Sequence, residues 1–124
     1  PTSAERRCAE ARDAIDALPP AYQSGSPFER SDYLEKGTEI LKNMVSDLGS
    51  LPGGSASDRD LAARWLEDWE VYLSDRQAHV KRLRSEGDVR PLLSALSDGS
   101  SMLERMNGFA RVNDMESCLD PGDF

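Results

Sequence analysis

Apolar residues recur at intervals of three and four along four separate stretches of this chain, and nowhere alternate with polar ones over the length of a strand. An amphipathic helix produces that spacing, because 3.6 residues per turn returns every third or fourth side chain to one face. The chain is therefore expected to be all-α. Composition alone leaves folding open: 14 Leu, 2 Ile, 5 Val and 3 Phe make 24 of 124 residues, about 19%, a share that borders on disordered chains. A core with so few strong apolar side chains has to be filled out with Ala, Met, Trp and Tyr.

The first stretch opens on Thr2-Ser3-Ala4-Glu5, the spacing of a reciprocal capping box. It continues through Ala4, Cys8, Ala11, Ile15 and Leu18, and Pro19-Pro20 ends it. Ser26-Pro27-Phe28-Glu29 starts the second helix, with an N-cap serine and a proline at the first helical position. Its face runs from Tyr33 and Leu34 to Leu48, and Gly49 is expected as a left-handed C-terminal cap. The linker 50–56, SLPGGSA, reads as a helix-to-helix connection rather than a domain boundary. Ser57, with Asp58 and Asp60, predicts the start of a third helix over 58–86. At 1.5 Å per residue that helix is about 43 Å long, with Lys81, Arg82 and Arg84 complementing the dipole at its end. Residues 91–96 read as a short helical piece, Ser101-Met102-Leu103-Glu104 as a second capping box, and 113–124 as a tail.

One domain over residues 1–124 fits this length. Short connections favour antiparallel neighbours, so the expected architecture is an up-and-down four-helix bundle-like domain with a long third helix. That alternation brings the start of the first helix near the end of the fourth, and with them the only two cysteines, Cys8 and Cys118. In a reducing compartment these would be unrelated thiols, and in an oxidising one a disulfide.

Function is less legible. The net charge of −8 would repel nucleic-acid phosphates and anionic lipid headgroups, so neither is an expected partner, whereas a protein partner is compatible with it. No apolar run is long enough to span a bilayer. The single histidine, His79, shares a helical face with Asp75, but a zinc site needs three or four ligands, and a solvent-exposed, partly ion-paired histidine is the expectation. No motif links His79 to either cysteine, the acidic clusters read as solvated faces, and no catalytic residue or cofactor is expected. Trp65, Trp69 and Tyr72 place three aromatics on or near one stripe of the long helix, flanked by Asp75 and Arg76. The stripe is read mainly as core, with a candidate binding surface where it outruns the shorter helices. Two functions are thus in view: a non-enzymatic interaction or structural domain, or a small ligand-binding protein or hydrolase with a site near Trp69, Tyr72, Asp75 and Arg76.

The pattern Trp65-x-x-Asp68-Trp69-x-x-Tyr72-x-x-Asp75-Arg76, followed by Phe109-x-x-Val112-Asn113-x-Met115-x-x-Cys118-x-x-Pro121-Gly122-Asp123, resembles helical extracytoplasmic proteins of actinobacteria. These are typically tethered by one N-terminal transmembrane helix. The resemblance covers most of the chain but has no counterpart in residues 88–99. It implies an anchor ahead of Pro1, an oxidising environment, and a Cys8–Cys118 bridge that pins the tail. It implies no activity.

Overall fold

A computed structural model describes residues 2–20, 23–52 and 54–123. It contains α1 (Ser3–Asp16), α2 (Pro27–Gly49), α3 (Ala56–Glu86), α4 (Met102–Val112) and a 3-10 turn at Glu116–Cys118, with no β-strand among the described residues. Helix α1 packs on α2, α2 on α3 and α3 on α4, while the 3-10 turn touches both α1 and α4. The fold is thus all-α with a long third helix, and α3 at 31 residues is about 46 Å long.

Each helix begins at a hydroxyl that satisfies an otherwise orphaned amide. Thr2 accepts from the Glu5 amide at 3.0 Å, Ser26 from Glu29 at 3.1 Å, Ser55 from Asp58 at 3.1 Å and Ser101 from Glu104 at 3.1 Å. The third cap corrects the expected Ser57: the helix starts two residues earlier, where Ser55 precedes Asp58 by the three residues that an N-cap bond spans. The Thr2 box is only half built. The Glu5 carboxylate turns to the Ser117 amide, at 2.9 and 3.2 Å, and so caps the 3-10 turn.

Two further expectations are corrected. Gly49 is the last residue of α2 rather than a left-handed cap, because the Ser50 amide closes the helix on the Asp47 and Leu48 carbonyls with ordinary right-handed geometry. Residues 91–96 form no helix. Pro91 lacks an amide, the Asp75 carboxylate takes the Ser94 amide at 2.7 Å and its hydroxyl at 2.8 Å, and Ala95 bridges to Ser101 around a turn at Gly99, whose φ is +86°. Gly87, at φ +87°, ends α3, and Asp114, at φ 55°, takes the left-handed position after α4, where the Met115 amide reaches back to the Ala110 carbonyl.

The main core joins Ala11, Ile15, Leu41 and Leu48 to Trp65, Trp69, Tyr72 and all four methionines, Met44, Met102, Met106 and Met115. Unbranched methionine fills the irregular gaps that so few branched side chains leave. A smaller cluster of Leu34, Val80 and Leu83 lies toward the start of α2 and the end of α3. Cys8 and Cys118 are disulfide-bonded across 110 residues of chain, inside the main core. Arg12 reinforces that junction by donating to the carbonyls of Leu119 at 2.8 Å and Asp120 at 3.2 Å.

Intact mass without reductant should be lower than the reduced mass by two hydrogens. Cys8→Ser should cost up to about 4.7 kcal/mol, since it frees a loop of this length in the unfolded chain; thermal unfolding with and without reductant measures it. Trp69, 0% exposed, should cost about 3–5 kcal/mol on truncation to Ala. Chemical denaturation of Trp69→Ala checks this value, and unchanged stability would remove the residue from the core.

Candidate functional site

Helix α3 carries the five residues of the sequence-derived surface, and the structure turns four of them inward. Trp65, Trp69, Tyr72 and Arg76 are buried, while Asp75 is half-buried against Ser94. They do not converge on one cleft. Instead they divide between a buried polar layer around Arg76 and a groove around Trp65.

Arg76 is 1% exposed and sits between the two apolar clusters. Its guanidinium grips Asp123 with both arms, at 2.5 and 2.8 Å. Nε donates to the Thr38 hydroxyl at 2.9 Å, and that hydroxyl donates in turn to the Leu34 carbonyl at 2.6 Å. Tyr72 lies alongside, with its ring centroid 5.8 Å from the guanidinium carbon. Gly37 makes the layer sterically feasible: a Cβ there would lie 3.0 Å from Arg76 Nη2 and 3.3 Å from Asp123 Oδ2. Burial is the largest single influence on Arg76 and opposes its charge, but hydrogen bonding and attraction from Asp123 outweigh it and raise the pKa. Burial likewise pushes the Tyr72 hydroxyl well above its ordinary value, with Arg76 only partly opposing.

Two more polar pairs tie distant segments to this frame. Buried Asp68 accepts from Arg105 at 2.6 and 2.9 Å, which fixes α4 on α3. Asn107 and Asp120 exchange hydrogen bonds at 2.7 and 3.0 Å, and Asp120 also accepts from the Gly122 amide, so the tail turns back toward Arg76 at Gly122, whose φ is +65°. Thr38, Arg105, Asn107, Asp120 and Asp123 were not candidates from sequence. The one available signal was Gly37, a glycine mid-helix at a cost of about 1 kcal/mol relative to alanine.

The groove lies at the other end of α3. Trp65 stacks on Phe109 at 5.0 Å and 28°, and shallow depressions of about 510 and 550 Å³ flank the pair. Leu61, 51% exposed, and Val112, 83% exposed, form its apolar rim beside Arg64 and Arg105. No protein-family model, curated protein or solved structure is significantly similar to this chain. Among the described residues no helix is long and apolar enough to cross a membrane, and no three His, Cys, Asp or Glu side chains converge.

His79 departs from the expected exposed, ion-paired state: it is 2% exposed on the inward face of α3. Burial first, and then the positive charges of Arg82, Arg30 and Arg76, lower its pKa below the ordinary 6.5. The unfolded chain therefore takes up a proton that the folded chain resists. This contribution to stability is complete above about pH 6.5 and is lost as pH falls from there through the folded pKa. Between about pH 7.5 and about pH 5.5, wild type should lose more melting temperature than His79→Gln. Equal losses would show that His79 titrates alike in both states.

Proposed function

We propose that this chain is a non-enzymatic, extracytoplasmic interaction domain that presents the Trp65–Phe109 groove to a protein partner. One observation carries the reading: the charged side chains of the candidate site are engaged within the fold, whereas exposed Leu61 and Val112 flank a groove floored by buried Trp65 and half-buried Phe109. Asp75 and Arg76, the charges a hydrolytic site beside Trp69 would use, are bound to Ser94 and Asp123, which favours binding over catalysis. Exposed aliphatic side chains around an apolar groove and rimmed by arginine have the character of protein-contact surfaces. The disulfide and the resemblance to tethered actinobacterial proteins support a location outside the cytoplasm.

Leu61→Glu and Val112→Glu test this. Surface changes of this kind should move stability by no more than about 0.5 kcal/mol. A photo-crosslinking residue at exposed Arg64 should capture a defined partner in the native cell, and the Glu substitutions should abolish that adduct. Equal capture from exposed Lys81, remote from the groove, would refute the assignment.

A further inference from the structure

The Arg76 layer separates into a receptor and a plug that come from different parts of the molecule. The receptor is wholly helical. Thr38, the Leu34 carbonyl and the Gly37 gap lie on α2, and Tyr72 and Arg76 lie on α3. Its guanidinium is aimed by contacts that do not involve the tail, since the Thr38 hydroxyl that holds Nε is itself fixed on the Leu34 carbonyl.

Among the described residues the plug is the Asp123 carboxylate, on residues 119–123, a segment without helix or strand. Cys118 tethers this segment at one end, and Asp123 reaches Arg76 at the other. Between them it is held by Arg12 on two carbonyls and by the Asn107–Asp120 pair. The Asp123 side chain retains 17% exposure and lines a cavity of about 280 Å³ with Ile15, Pro19, Tyr33 and Pro121. The cavity borders the Asp123 side of the pair: among the described residues its lining includes Asp123 but not Arg76.

We propose that the cleft around Arg76 is a carboxylate-binding site of the helical body, filled in cis by Asp123, which accepts an external carboxylate wherever the Asp123 side chain is withdrawn. The ligand class follows from geometry: the planar fork of the guanidinium matches the two oxygens of a carboxylate, and Gly37 leaves room for both. A guanidinium buried without an anion is strongly unfavourable, so the site exchanges anions rather than emptying. This assignment does not depend on the groove having a partner.

Full-length Asp123→Ala removes the plug and keeps the receptor, and sodium formate is the probe, compared with sodium chloride at equal ionic strength. The variant should melt well below wild type in chloride. Formate should raise its melting temperature saturably, by about 4 °C at roughly tenfold its Kd. Wild type, already plugged, and the double variant Asp123→Ala/Arg76→Met, without the receptor, should shift no more in formate than in chloride. If Asp123→Ala does not fold in chloride, the near-ultraviolet dichroism of Trp65 and Trp69 provides the readout, and formate should restore it. A variant that melts like wild type, a formate shift no larger than that of chloride, or no recovery of dichroism at saturating formate would each overturn the proposal.

Discussion

The buried guanidinium of Arg76 sets the terms for much of this fold. A charge at 1% exposure is tolerable only when an opposite charge reaches it and its remaining donors are satisfied, and breaking such a pair from one side typically costs 3–5 kcal/mol. Around that requirement α2 gives up a side chain at Gly37 and supplies a hydroxyl at Thr38, and the chain beyond α4 folds back across the body to deliver Asp123. The polar layer also splits the apolar interior. Leu34, Val80 and Leu83 lie on one side and the methionine-rich core on the other, so α2 and α3 are held in a single register, because a one-turn slip would place Arg76 against an apolar layer.

The sulfur-rich core answers a compositional shortage. With few branched aliphatics available, two large indoles, a buried tyrosine, four methionines and a disulfide occupy the interior between α1, α2, α3 and α4. Indoles are rigid and cannot fill their own margins, whereas thioethers adapt to them.

Helix periodicity made the four helices legible, and the hydroxyls at Thr2, Ser26 and Ser101 fixed three starts, because those signals are local. The corrections at Ser55 and Gly49 are local, each a matter of where a cap sits, whereas other misplaced features depend on distance in space. Glu5 caps Ser117 rather than its own helix, and Asp75 holds Ser94 in an extended segment that looked helical by composition. His79 is different: it falls seven residues after Tyr72 and four before Leu83, on the buried stripe of α3, so its burial was legible in the spacing and only its polarity suggested a surface position. At the candidate site, Trp69 and Tyr72 were readable as core from their stripe. The partner of Arg76 was not, since Asp123 lies 47 residues away in a segment without periodicity. The groove arises where the Leu61–Trp65 end of the stripe is covered by short α4 instead of a full-length neighbour.

The Cys8–Cys118 bond has a mechanical consequence. It closes nearly the whole domain into a covalent ring, with both exits from the ring at one point. A pull applied through the residues ahead of Cys8 and beyond Cys118 would pass directly across the sulfur bridge. The helices between them would carry almost none of the load. A domain wired in this way can sit in series between two anchored structures and, once the arms outside the ring have been drawn off with contacts such as that of Asp123 on Arg76, transmit tension through the bridge until a reductant opens it and transfers the force to the helices.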